Sequence, residues 1–158
     1  MSVSPVLEQT LAQRQSGVKL TPMTAEYAIS SWDFLAPFIE RAMDFSAGRL
    51  TIEGAKRSVE DGHSLVLIAW RPEQHEVLAV LLCEGNHYLS KKVFSIGVCG
   101  GANVFEWAPI VWPGILHIAR DLGYEQVEVK GRRGWGRFLE GASEIGTFYA
   151  IDLKPKES

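Results

Sequence analysis

The stretch from Ser64 to Cys99 decides the fold and reads SLVLIAWRPEQHEVLAVLLCEGNHYLSKKVFSIGVC. It contains three segments rich in Val, Ile and Leu: Ser64 to Trp70, Glu76 to Glu84 and Lys92 to Cys99. This composition predicts β-strands. The connections between them, Arg71 to His75 and Gly85 to Ser90, are shorter than the crossover that parallel neighbours need. We therefore expect an antiparallel meander.

Helical periodicity precedes the meander. Val18 to Thr21 can form a short edge strand that Pro22 stops. A first helix follows, which Ser31 can cap, with Pro37 at a kink or in the first turn and Gly48 at its end. Its apolar residues recur at three- and four-residue steps, namely Trp32, Leu35, Ala36, Ile39, Ala42 and Met43. A second short helix starts at Thr51 and stops at Gly62.

The helical period returns after the meander. A long helix runs from Ala108 to its C-cap at Gly123, and Tyr124 to Lys130 alternates as a strand does. A short helix around Trp135 to Glu140 and a last strand from Thr147 to Leu153 complete the order. We predict one α/β (α+β) domain over 18–153, with a mixed, mostly antiparallel sheet flanked by helices. Residues 1–17 form a flexible arm, and 154–158 form a charged tail.

Composition narrows the classes of function. The chain has 158 residues and a formal net charge of -3, which gives no general attraction to nucleic acid or anionic membranes. No apolar run approaches the roughly 20 residues of a membrane span, and the first 17 residues lack a signal-peptide pattern. Cys83 and Cys99 have no CxxC spacing, and the four histidines are scattered, so we expect no metal site.

Three short motifs carry a resemblance to a known family. They are Gly100-Gly101 before the long helix, the segment Ala119 to Tyr124, and the segment Gly131 to Leu139. Together with the order of elements, they resemble the GNAT (acetyltransferase-like) superfamily, and within it the GNAT-like proteins encoded in bacteriophage and prophage genomes. The resemblance implies the mixed, mostly antiparallel GNAT sheet.

The resemblance also implies where a cofactor would bind. In active GNAT enzymes a Q/R-x-x-G-x-G/A loop holds the pyrophosphate of acetyl-CoA with backbone N–H groups. The matching positions are Val98, Cys99, Gly100, Gly101, Ala102 and Asn103. The basic residue and the G-x-G/A spacing are missing, and Glu106, Pro109 and Pro113 disfavour an anion there. We expect no cofactor; if the chain is an enzyme, acetyl-CoA binds at Cys99 to Asn103.

The candidates for acid–base chemistry are few. Glu84 and His87, at the end of a central strand, could serve as a base for an acceptor amine. The short helix that carries a general-acid tyrosine in GNAT enzymes has none here, so Tyr149 on the last strand is the remaining candidate. The alternative is that all three side chains are simply solvated or half-buried strand residues.

A basic cluster surrounds Trp135. Lys130, Arg132, Arg133 and Arg137 lie among three glycines. Arg132, Arg133, Trp135 and Arg137 could contact a protein, since Arg and Trp dominate binding hot spots. They could also bind phosphate. The third alternative is structural, with Trp135 packed on the core and the arginines paired with acids such as Glu125 and Glu128.

These observations favour a phage-type GNAT-like protein with a degenerate acetyl-CoA loop. We expect a non-catalytic accessory, assembly or virion component that contacts other proteins, such as phage structural proteins or further copies of itself. It would reside in the host cytoplasm or be incorporated in a virion, without membrane contact. The alternative is an active acyl-CoA-dependent N-acyltransferase that acts on an amine or a protein lysine. Binding of nucleic acid through the Arg133 cluster is the least favoured hypothesis.

Overall fold

The computed structural model describes residues 16–43, 50–130, 133–137, 139–146, 149, 151 and 153. Its helices are α1 (Ala25–Ser30), α2 (Trp32–Met43), α3 (Ile52–Glu60) and α4 (Val104–Asp121). Its strands are β1 (Lys19–Met23), β2 (Leu65–Arg71), β3 (Glu76–His87), β4 (Lys92–Gly101) and β5 (Gln126–Val129). Two 3₁₀ turns, Pro72–Gln74 and Arg133–Arg137, follow β2 and β5.

The five strands form one sheet in the order β1-β2-β3-β4-β5. The first four strands pair antiparallel, which confirms the predicted meander. Strand β5 pairs parallel to β4, with Val93 opposite Gln126 and Ile96 opposite Val129. The crossover between these parallel strands is α4, as a parallel pair requires. The predicted mixed, mostly antiparallel sheet flanked by helices is therefore confirmed.

Helices cover both faces of the sheet. The α4 face buries apolar residues such as Leu81, Phe94 and Ile96 beneath the helix. The opposite face buries Val66, Val80 and Leu82 beneath α1, α2 and α3. Strand side chains alternate between faces, so the fully apolar run of β3 supplies both layers.

Local signals explain where the helices begin. The side-chain oxygen of Thr24 accepts a hydrogen bond from the Tyr27 N–H at 3.2 Å, and that of Thr51 accepts from the Gly54 N–H at 3.0 Å. Each is an N-cap that satisfies a free donor of the first turn. The predicted start at Thr51 is confirmed. The predicted helix after Ser31 is present as α2, but the sequence analysis missed the preceding helix α1, which begins after Thr24 and has Ser31 as its C-cap.

Several predicted boundaries are also wrong. Pro22 lies inside β1 and does not stop it; β1 is an edge strand, where a residue without an N–H is tolerated. Strand β3 continues through His87, helix α4 begins at Val104 before Ala108, and the turn at Trp135 is a 3₁₀ turn that ends at Arg137. Pro37 lies inside α2, beyond the first turn.

Other predictions fall outside the described residues. These are the arm up to residue 15, the helix end at Gly48, most of the predicted last strand (147–153) and the tail from 154. Of the helices that the structure describes, none has the length and apolar character needed to cross a bilayer.

Candidate functional site

Strand β4 leaves its parallel neighbour halfway along its length. It pairs with β5 from Val93 to Ile96, but with β3 it pairs on to Gly101. A bulge in the β3–β4 ladder lies at this point, where Leu82 pairs with Val98 and Cys83 with Ile96. A bulge bends a strand and breaks its pairing. The second half of β4 therefore has an unpaired side within the described chain, and this gap is the first part of the candidate site.

The turn from β4 to α4 is very short. Only Ala102 and Asn103 separate the strand from the helix, and Asn103 has a left-handed backbone conformation (φ 54°) without a side-chain cap. Glu106 lies in the first helical turn, and its carboxylate is 3.8 Å from the Arg71 guanidinium. The Glu106 carboxylate thus adds negative charge at the favourable end of the helix dipole, and the Arg71 guanidinium partly offsets it.

The two glycines of the predicted cofactor loop belong to β4 and pack against the protein itself. A Cβ built on Gly100 would overlap the carbonyl oxygen of Phe38 in α2. A Cβ built on Gly101 would overlap the carbonyl oxygen of Leu78 in β3. Close backbone approach accounts for both glycines without a ligand.

Three tryptophan side chains lie beside the point where β4 and β5 separate. Trp107 and Trp112 of α4 and Trp135 of the second 3₁₀ turn line a cavity of about 20 Å³, together with Cys99 and Leu139. This volume is close to that of a single water, and the walls are apolar, so the cavity stays dry. The Trp107 indole N–H donates to the Ala102 carbonyl at 2.9 Å, and the Trp112 indole N–H donates to the Glu140 carbonyl at 3.1 Å.

These residues do not fit the pyrophosphate of acetyl-CoA. The glycines face the chain's own backbone, the first helical turn carries Glu106, and position 98, where the pattern has Gln or Arg, is a valine. The loop therefore differs from the Q/R-x-x-G-x-G/A pattern in sequence, and its glycines also pack against the protein's own backbone. We derive no chemical step through this cofactor.

The two cysteines lie on the α4 face of the sheet. Burial raises the pKa of the Cys99 thiol to about 12 and raises the pKa of Cys83 further. Both thiols are therefore protonated at physiological pH, and neither is a nucleophile. Among the described residues, no group of three His, Cys, Asp or Glu side chains could hold a metal ion.

A second part of the site is a polar row across three strands. It consists of Asn86 in β3, Tyr88 after β3, Ser95 in β4 and Glu128 in β5. The Asn86 amide donates to the Ser95 hydroxyl at 2.6 Å, and that hydroxyl donates to Glu128 Oε1 at 2.5 Å. The Tyr88 hydroxyl donates to the same Glu128 oxygen at 2.9 Å, which raises the pKa of Tyr88. Ser95 is only 2% exposed.

The structure brings one of the predicted acid–base residues to this row. Glu84 lies opposite Ser95, so two carboxylates flank the serine on neighbouring strands. His87 lies three positions further along β3, and residues an odd number apart on a strand point to opposite faces. Glu84 and His87 are therefore not brought together. Tyr149 is 87% exposed.

The predicted interaction residues are described only in part. Trp135 is half-buried against the cavity, and Arg137 is exposed. Arg132 lies outside the described residues, and of Arg133 the structure describes only the backbone. Glu128, considered as a partner for the arginines, accepts hydrogen bonds from Ser95 and Tyr88.

Sequence reasoning missed the polar row because its members are far apart in sequence. A single serine inside the apolar run VFSIGV is the one local signal, since a buried hydroxyl requires a hydrogen-bond partner. The partner itself depends on the register between β4 and β5, which the sequence does not reveal.

Solved structures that are similar to this chain include acetyltransferases. A probable acetyltransferase has a TM-score of 0.64 at 16% identity, over 89% of this chain and 99% of that chain. An aminoglycoside acetyltransferase from an uncultured soil metagenomic sample, in complex with sisomicin, has a TM-score of 0.64 at 12% identity over the same shares. A ribosomal-protein-alanine N-acetyltransferase from Brucella melitensis biovar Abortus 2308 has 0.60 at 10% identity, over 86% and 99%.

The chain therefore has the GNAT acetyltransferase fold over most of its length. At these identities the likeness shows the fold and leaves the reaction undetermined. No protein-family model and no curated protein sequence matches the chain.

Proposed function

We propose that this chain uses the acetyltransferase fold as a scaffold for protein contacts and does not transfer an acyl group. The observation that carries the proposal is the packing of Gly100 against the Phe38 carbonyl, because this close backbone approach accounts for the glycine without a bound cofactor. The carboxylate of Glu106 in the first turn of α4 supports it.

The biological setting is part of the same proposal. The segments Ala119 to Tyr124 and Gly131 to Leu139 resemble GNAT-like proteins of bacteriophages and prophages. We place the protein among their accessory, assembly or virion components, in the host cytoplasm or in the particle. Phage structural proteins or further copies of the chain are the partners that this setting supplies.

Binding of acetyl-CoA tests the proposal directly. A cofactor present at a hundred times its dissociation constant stabilises a fold by about 2.7 kcal/mol. We expect no change in melting temperature with millimolar acetyl-CoA or coenzyme A, and no heat of binding by calorimetry. An active acetyltransferase of the same fold serves as the positive control. Saturable binding to this chain would contradict the proposal.

One observation favours the alternative, an acyl-CoA-dependent N-acyltransferase. The carboxylates of Glu84 and Glu128 flank Ser95 beside the point where β4 and β5 separate, and a carboxylate can accept a proton from an amine. Structural neighbours include acetyltransferases named for an aminoglycoside and for a ribosomal-protein alanine, which fits an amine or protein acceptor. The acetyl-CoA measurement decides between the two candidates.

A further inference from the structure

The first two helices leave one face open to solvent, and that face has a regular pattern. Their buried positions are Ala28, Trp32, Leu35 and Ile39, at steps of four, three and four. The helical phase continues across the junction, because the Ser31 N–H donates to the Tyr27 carbonyl and the Leu35 N–H donates to the Ser31 carbonyl, each at 3.1 Å. Positions seven apart therefore stay nearly aligned along α1 and α2.

One side of the open face is aromatic. Tyr27 is 63% exposed and Phe34, seven positions later, is 56% exposed. Phe34 contacts Phe38 with ring centroids 5.9 Å apart, and the Arg41 guanidinium covers the Phe38 ring at 5.4 Å. Single exposed apolar residues are ordinary, but two exposed aromatic side chains on one helix face, one of them packed against a third ring, are typical of a contact surface.

The other side of the open face is acidic. Glu26, Asp33 and Glu40 are exposed and also recur at steps of seven. At 100° per residue this acidic row lies about 100° around the helix from the aromatic row, with exposed Ser30, Pro37 and Arg41 between them. The three carboxylates outnumber this one guanidinium, so the face keeps a net negative charge. Among the described residues, none of these three carboxylates takes part in an ion pair.

We infer that the open face of α1 and α2 is a docking surface for a basic, amphipathic segment of another protein. The segment's apolar side chains would cover Tyr27 and Phe34, and its Lys or Arg side chains would pair with Glu26, Asp33 and Glu40. Charge complementarity selects this occupant, because an acidic segment would be repelled by the three like charges. The inference rests on the proposed function, for which it names the chemistry of the partner.

A pair of peptides tests the chemistry. The probes are an 18-residue amphipathic peptide of Lys and Leu and its counterpart of Glu and Leu, each fluorescently labelled, titrated with the full chain. We expect the Lys peptide alone to bind. Replacing Glu26→Gln, Asp33→Asn and Glu40→Gln together should weaken binding at least tenfold, as should Tyr27→Ala with Phe34→Ala.

The matched control removes the same charge from α3. Glu53, Glu60 and Asp61 are also three exposed acids, and their amide variants should change binding less than twofold. Equal losses from both triple variants would overturn the inference, because they would show attraction to net charge only. Circular dichroism checks that each variant is folded.

Photo-crosslinking in the cells that make the protein identifies the occupant. A benzophenone amino acid at position 34 should crosslink to a segment of another protein rich in Lys or Arg and apolar residues. The same group at Leu122, which is 53% exposed, should not crosslink to that segment. A crosslink to a second copy of this chain, to an acidic segment, or to nothing would overturn the inference. Saturable acetyl-CoA binding would refute only the non-catalytic proposal and would leave these results unchanged.

Discussion

The two halves of strand β4 differ in what they pack against. The first half, up to Ile96, pairs on both sides and contains Ser95, the buried polar residue that joins three strands through hydrogen bonds. The second half, from Val98 to Gly101, pairs only with β3 in the described chain. Its two glycines contact the backbone of α2 and β3, and Cys99 lines the cavity together with the three indoles. Ser95 points to the face opposite α4, because it alternates with Phe94 and Ile96. The second half leads into the turn where acetyl-CoA would bind if the chain were an enzyme.

The two halves of one strand therefore differ in both pairing and polarity. The second half of β4 is less buried than the first: Val98 and Cys99 are half-buried and Gly101 is exposed. The Trp107 indole of α4, only 3% exposed, donates a hydrogen bond to the carbonyl of Ala102 in the turn that follows. The first half retains hydrogen-bonding groups at the point where β4 and β5 part. Three substitutions can sharpen or break the contrast.

Trp107→Ala should have the largest effect on stability. It enlarges the apolar cavity and removes the hydrogen bond to the Ala102 carbonyl, so we expect the free energy of unfolding to fall by about 3–5 kcal/mol in urea denaturation. Trp107→Phe keeps most of the packing and should lose only about 1 kcal/mol. A small loss from Trp107→Ala, accompanied by acetyl-CoA binding, would show that the indole merely occupies an open site.

Gly100→Ala should come next. Its Cβ would overlap the Phe38 carbonyl, and the displacement of α2 should cost about 1–3 kcal/mol of stability. Gly97→Ala is the matched control on the same strand, because a Cβ there has no atom within 4 Å, and it should be close to neutral. If both variants unfold at the same urea concentration, α2 does not close the loop, and the glycines are available to a ligand.

Ser95→Ala should have the smallest effect of the three. It leaves the Asn86 amide without its acceptor and Glu128 with one donor fewer, which we expect to cost about 1–2 kcal/mol. Ser90→Ala, at the exposed hairpin turn, should be neutral. A gain in stability from Ser95→Ala would indicate that the polar row is retained for a function at the expense of the fold.

Much of the fold is predictable from local sequence. The three apolar segments between Ser64 and Cys99 have short connections, and a short connection permits only an antiparallel pair. The cap at Thr51 is readable because capping depends on neighbours two or three residues away. Other boundaries could not be predicted locally. Strand β1 continues through Pro22 because it is an edge strand, and the start of α4 at Val104 depends on where the sheet ends.

The sequence by itself determined that the pyrophosphate motif is incomplete, since the missing basic residue and the G-x-G/A spacing are visible in residues 98–103. Only the tertiary structure decided what replaces it. Phe38 and Leu78 are far from Gly100 and Gly101 in sequence, and their carbonyls meet the glycines only through helix–sheet packing and strand register. The polar row likewise joins residues up to 40 positions apart. Contacts of this kind depend on how strands are ordered and aligned, and no local pattern specifies them.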